Sequence, residues 1–131
     1  MAAPEGPLVV GVDSSTQSTK ALVVDSATGG VVARGQAAHR VSGGEGRESD
    51  PEEWWAALCT ALRQCGEAAG RAAAVSVGGQ QHGLVTLDSA GRPVRPALLW
   101  NDVRSAPQRD RLVERLGGAQ AWAEPRPGRS G

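Results

Sequence analysis

The sequence predicts a mixed α/β domain, and three observations carry that prediction. Residues 8–12, 21–24 and 31–37 are short β-branched or apolar runs separated by turn chemistry. Residues 50–70 carry a capped amphipathic helix pattern. Residues 74–77, 84–87 and 96–100 return as apolar runs between breaks rich in Gly, Asp and Pro. Three antiparallel strands, then a helix, then further strands fit a sheet of mixed direction.

The first run ends at Asp13, and the hydroxyl-rich stretch 14–19 separates it from the second, so the pair reads as a hairpin. Asp25-Ser26-Ala27-Thr28-Gly29-Gly30 is a turn, because Asp and Ser accept backbone hydrogen bonds and Gly takes positive φ. The chain then returns as a third strand. Residues 42–49 form a Gly-rich charged loop without periodicity, expected to be mobile. Asp50 is placed to cap a helix with Pro51 at its first position, and Glu53 to close a capping box. Trp54, Leu58, Leu62, Cys65 and Ala69 recur at helical spacing, and Gly70 is the expected stop. The adjacent Trp54 and Trp55 are assigned to packing. Ser105 and Gln108 open a second helix, carried by Leu112, Val113 and Leu116 to Gly117-Gly118. Residues 1–7 are expected to be disordered and residues 124–131, which lack core-forming residues, to be a disordered or non-native tail, with the domain at 8–123.

Composition narrows the function classes. With 40% hydrophobic and 21% charged residues the chain has a globular profile, and a formal net charge of zero gives no sign of nucleic acid as a partner. No apolar run suits a membrane span and no basic leader precedes one, so a soluble cytoplasmic protein is expected. Cys59 and Cys65 stand six apart on a helix turning about 100° per residue, which puts them on different faces as reduced thiols. Lys20 is the only lysine among 14 basic residues, which makes it worth tracking.

The candidate chemistry lies in Gly11-Val12-Asp13-Ser14-Ser15-Thr16-Gln17-Ser18-Thr19-Lys20. A tight turn between strands aims backbone N–H groups and hydroxyls into one concavity, which suits phosphate oxygens, and a carboxylate at a strand end can hold metal-bound water. The segment is neither a G-x-x-x-x-G-K-[ST] loop nor a dinucleotide fingerprint. On spacing alone, the same residues equally serve an ordinary turn capped by Asp13 and Ser14. The second candidate is Gly79-Gln80-Gln81-His82-Gly83, at a strand end, where Gln and His each offer a donor and an acceptor to vicinal hydroxyls. Alone, His82 reads more readily as a loop histidine with no ligand than as a contact.

The first segment resembles the phosphate hairpin D-x-G-T-[TS]-[SG]-x-[KR] of the FGGY family of carbohydrate kinases, within the actin-like ATPase superfamily. Asp13, Thr16, Ser18 and Lys20 fall on the pattern, while Ser15 replaces the usual Gly. The second is similar to the family's Q-M-H-G segment in pentulose kinases, where glycerol kinases carry Q-R-E-T. Asp50-Pro51-Glu52-Glu53-Trp54-Trp55 resembles the D-P-E-x-W-W helix opening, and Leu99-Trp100-Asn101-Asp102-Val103-Arg104 the L-W-N-D-x-R segment. The four motifs stand in family order across residues 8–124.

The resemblance implies an incomplete actin-like (ribonuclease H-like) N-terminal domain of a sugar kinase. It implies ATP and Mg²⁺, with Asp13 organising the metal through water and Ser15, Thr16, Gln17, Ser18 and Lys20 contacting the ATP phosphates. Gln81, His82, Trp100, Asn101, Asp102 and Arg104 would contact the sugar, D-xylulose first. The family's general base and adenosine pocket come from later segments, so an inactive N-terminal portion, prone to aggregation, is expected. Kinases for ribulose, gluconate or glycerol, and a non-catalytic sugar- or nucleotide-binding module, remain alternatives. An actin-like scaffold needs the hairpin alone and has no use for the Gln-His-Gly segment.

Overall fold

A computed structural model describes residues 3–43 and 46–120. Its main sheet has the order β3-β2-β1-β5, formed by β1 (Leu8–Ser14), β2 (Ser18–Asp25), β3 (Val31–Ala38) and β5 (Ala74–Gly79). The first three strands pair antiparallel, and β5 returns parallel to β1. The expected mixed sheet with its antiparallel opening is therefore present. A second, two-stranded sheet joins β4 (Glu48–Ser49) to β6 (Ala97–Leu98). Three helices complete the described residues: α1 (Pro51–Gln64), α2 (Glu67–Gly70) and α3 (Ala106–Arg115).

The core is one face of the sheet under α1. Alternation buries Leu8, Val10 and Val12 of β1 with Ala21 and Val23 of β2, and Ala61 and Cys65 close over them. Each of these side chains contributes roughly 1.5–3 kcal/mol if large and fully buried, so the valines and Leu8 dominate. Helix and sheet approach closely at Gly35: a Cβ there would lie 1.9 Å from the Ala61 carbonyl oxygen. Small residues on both surfaces set this layer spacing.

The N-cap forms as expected at Asp50, whose side chain accepts from the Glu52 amide with Pro51 at the helix start. The capping box does not form. Glu53 instead accepts from the Arg40 amide and its guanidinium, because a charged bidentate partner outcompetes a neutral amide. The single helix expected over 50–70 is broken at Gly66, whose φ of 62° no helix accommodates. Its buried stripe runs through Ala57, Ala61 and Cys65, with Leu58 and Leu62 flanking. Trp54 packs as expected, its Nε1 donating to Ser49 Oγ and its ring lying 6.4 Å from that of His39. Trp55 is 64% exposed and does not.

Three further expectations change. The loop 42–49 ends in β4, whose pairing with β6 no local spacing could announce. Residues 84–87 form isolated bridges, Leu84 to Leu98 and Leu87 to Pro93, rather than a strand. β5 has the composition of a covered strand, yet Val75 and Val77 are 64% and 61% exposed, since no described element lies over them. Ser105 starts α3 without a side-chain cap bond, and the helix ends at Gly117 and Gly118, both at positive φ. At the other end of the chain, Glu5 and Gly6 donate their amides to the Asp25 carboxylate. Residues 124–131 lie outside the described residues.

Candidate functional site

β1 and β5 run parallel, with Ser14 and Gly79 as register partners at their carboxyl ends. The two segments singled out from the sequence therefore leave the sheet side by side. The Gln80 amide continues the pairing by donating to the Ser14 carbonyl at 3.1 Å. Open α/β sheets bind ligands at such strand ends, where loops diverge and leave a crevice.

The hairpin loop between β1 and β2 is closed by the Ser15 amide donating to the Ser18 carbonyl at 3.0 Å. Thr16 and Gln17 at its tip donate no backbone hydrogen bond among the described residues, which leaves two N–H groups for an acceptor. Ser15 Oγ donates to Asp13 Oδ2 at 2.7 Å, while Oδ1 carries no hydrogen bond among the described residues. Lys20 is the cross-strand partner of Asp13, exposed on the same sheet face, and forms no ion pair among the described residues. Thr19 is fully buried and shares a hydrogen bond with Ser14 at 3.3 Å, so it anchors the hairpin rather than serving a ligand. Ser18 Oγ accepts from Gln36.

Asp13 could hold Mg²⁺ through water, because Mg²⁺ keeps most of its waters and needs one or two carboxylates plus phosphate oxygens. Its free Oδ1 and exposed position fit that role. Among the described residues no cluster of three metal-ligating side chains exists, so a metal caged by protein alone is not supported.

Beside the hairpin lies a cleft of about 490 Å³, lined among others by His82, Leu84, Trp100, Asp102, Arg104 and Gln108. Four of the six expected sugar contacts thus share one cavity. Gln81 and Asn101 do not line it. His82 sits at a φ of 61°, a left-handed conformation rare outside Gly, which fixes how the loop after β5 presents its ring. Trp100 Nε1 reaches across to donate to Thr16 Oγ1 at 3.4 Å, and Thr16 in turn donates to Gln80 Oε1 at 3.3 Å.

Asp102 and Arg104 are strongly engaged with protein. Arg104 donates to both oxygens of Asp102 and to Glu48, and the Arg47 amide adds a bond to Asp102 Oδ2. First Arg104, then the Arg47 and Arg104 amides, hold the Asp102 carboxyl well below the usual carboxylate range. Asp102 in turn, followed by Glu48, pushes the Arg104 guanidinium above its ordinary value. Arg95 also pairs with Glu48. A Cβ at Gly46 would lie 2.7 Å from the Arg104 guanidinium carbon, so the preceding loop folds tightly over the network.

Sequence reasoning missed Gln80, Glu48, Arg95 and Arg47. For Gln80 the signal was equal to that of Gln81, two adjacent amides of identical chemistry, and only the fold shows which one meets the hairpin. For the Glu48–Arg104 pair no local signal existed, since 56 residues separate the partners. Asn101 Oδ1 is buried with no hydrogen-bond partner among the described residues.

A model of the FGGY family of carbohydrate kinases, N-terminal domain, matches residues 8–125. The chain is 78% identical over 124 residues to a protein named xylulose kinase from Streptomyces rubiginosus, a match covering 95% of this chain and 26% of that protein. The crystal structure of xylulose kinase from Bifidobacterium adolescentis superposes with a TM-score of 0.73 at 47% identity, over 87% of this chain and 22% of that one. That from Rhodospirillum rubrum gives 0.76 at 28% identity, over 84% and 24%. The chain spans about a quarter of the length of such relatives. With motif order, sheet topology and these similarities in agreement, the chain belongs to the FGGY family of carbohydrate kinases, whose N-terminal domain it carries.

Proposed function

We propose that the chain supplies the phosphate-binding hairpin and the sugar wall of an ATP-dependent kinase that phosphorylates the terminal hydroxyl of D-xylulose. The observation that carries this reading is the Thr16 hydroxyl, bonded at once to Gln80 after β5 and to Trp100 on the cleft. It ties a phosphate-type loop to a hydroxyl-reading cavity. The 78% identity to a protein named xylulose kinase favours D-xylulose over ribulose, gluconate or glycerol.

In this reading the Thr16 and Gln17 amides, the Ser15, Thr16 and Ser18 hydroxyls and Lys20 receive the ATP phosphates, and Asp13 holds Mg²⁺ through water. Mg²⁺ supplies neutralisation of charge on the transferring phosphoryl group. Phosphoryl transfer depends mainly on positioning and electrostatic stabilisation, which these groups provide from one side. His82 and Trp100 face the sugar, with Gln81 and Asn101 beside them. Asp102 and Arg104 hold the cleft's shape. Asp102 cannot be the general base, because a carboxylate kept ionised by Arg104 is a poor proton acceptor.

Calorimetric titration of the chain with D-xylulose and, separately, with Mg-ATP tests the proposal. Saturable binding of both is expected, with His82→Ala weakening xylulose about tenfold, the loss of one or two hydrogen bonds, and sparing Mg-ATP. Asp13→Ala should do the reverse. Equal effects of both variants on both ligands would refute the division of roles.

A further inference from the structure

Gln80 is not among the residues to which family resemblance assigns a contact, yet it is the side chain that meets the hairpin. Its main chain is fixed by the bond to Ser14, and its amide group can turn about the last side-chain bond. Thr16, between Gln80 and Trp100, has a hydroxyl with one proton and two lone pairs. The proton is committed to Gln80 Oε1 at 3.3 Å. One lone pair accepts from Trp100 Nε1 at 3.4 Å, a direction set because the indole N–H can only donate, while the Gln80 bond runs from Thr16 because Oε1 faces the hydroxyl.

A phosphate oxygen only accepts. If it binds at the loop tip, it competes with Gln80 for the single Thr16 proton, and a charge-assisted bond is the stronger of the two. Gln80 Oε1 then loses its donor. Turning the amide over restores the pair, with Gln80 Nε2 donating to the second lone pair of Thr16. Every group stays satisfied, and an Oε1 acceptor now faces away from the hairpin.

We infer that Gln80 is a positioning residue: a phosphate group bound at the hairpin takes the Thr16 hydroxyl proton as its hydrogen bond, reverses the Gln80 amide, and, by making the Thr16 oxygen a stronger acceptor, tightens the bond that Trp100 donates from the wall of the cleft. Nucleotide phosphate and sugar therefore influence one another across a single hydroxyl, and by linkage the influence is reciprocal. The inference rests on the phosphate reading of the hairpin given above.

The test is ¹H–¹⁵N NMR of the whole chain titrated with Mg-ATP, following the Ser15 and Gln17 amides, the Gln80 side-chain amide and the Trp100 indole N–H. All four should shift with one half-saturation concentration. In Thr16→Val the hairpin amides should still shift, at about tenfold higher Mg-ATP because one phosphate hydrogen bond is lost, while the Gln80 and Trp100 responses vanish, and Thr16→Ser should restore them. In Gln80→Met the hairpin response should persist and the Trp100 shift shrink. β1 to β3 amides report folding in each variant. Hairpin amides that shift in the wild type without Trp100 and Gln80 would overturn the inference. So would a Thr16→Val chain whose Trp100 still tracks Mg-ATP, or one that folds but no longer binds it, since Thr16 is then only a direct ligand. An undiminished Trp100 shift in Gln80→Met would remove Gln80 from the link. Hairpin amides that never respond would overturn the phosphate reading itself, and the inference with it.

Discussion

Arg104 grips both carboxylate oxygens of Asp102, two residues away, and its Nη2 is shared between Asp102 Oδ2 and Glu48 on β4. This ion network joins the β4–β6 pairing and the bond from the Leu99 amide to the Arg47 carbonyl in holding the segment after β6 against the loop before α1. Asp102→Asn should therefore lower the melting temperature and speed hydrogen exchange at the Arg47 amide. The Asp102 carboxyl is depressed in the folded state, so its contribution is fully present above the ordinary value near 4 and is lost as pH falls below that value. The melting-temperature gap between wild type and Asp102→Asn should stay constant from neutral pH down to about 5 and close only in stronger acid. A gap that closes between pH 7 and 6 contradicts this assignment.

Gly35 has no room for a methyl group, since Ala61 of α1 lies against its backbone. Gly35→Ala should destabilise the chain by about 1–3 kcal/mol, the usual cost of overpacking, measured as a lower urea midpoint. An unchanged midpoint would mean that α1 does not sit on β3 as described.

The two thiols should react at very different rates. Cys65 is buried, its Sγ near the Ala21 carbonyl at 3.8 Å, and burial pushes its pKa up. Cys59 is half-buried. Titration with a thiol reagent should count one sulfhydryl in the native chain and two after unfolding, because the reactive form is the thiolate.

His39 is buried against Trp54, with neither ring nitrogen making a well-formed hydrogen bond among the described residues. Burial pushes its pKa down, against smaller upward effects from the nearby Ser18 carbonyl and Glu53. The unfolded chain then takes up the proton first, so stability is full above about pH 6.5 and declines as pH falls through that value. His39→Phe should flatten the melting temperature between pH 7 and 5.5.

The hairpin, the third strand and the start of α1 were legible because each is encoded locally: alternation for β1 and β2, turn residues between 25 and 30, a capping Asp before Pro51. The loop between β1 and β2 was legible for the same reason, as one continuous segment. Whatever depended on a distant partner was not. β4 exists because Glu48 and Ser49 meet β6, and Gly66 breaks the helix at a positive φ that an apolar stripe does not reveal. β5 reads as buried because composition records what a strand can cover itself with, not which described element covers it. In the site, motif spelling brought His82 and Trp100 to attention, whereas Gln80's bond to Thr16 needed the fold.

Whether this chain carries a working phosphate hairpin and pentulose wall is decided by replacing the matching 124 residues of the Streptomyces rubiginosus relative with this chain and assaying ATP-dependent phosphorylation across a sugar panel. Turnover with D-xylulose ahead of ribulose, gluconate and glycerol is expected, with kcat lowered at least about a hundredfold by Asp13→Ala, the scale of losing one electrostatic stabiliser. A folded chimera that phosphorylates none of them, or one whose kcat is indifferent to Asp13, would contradict it.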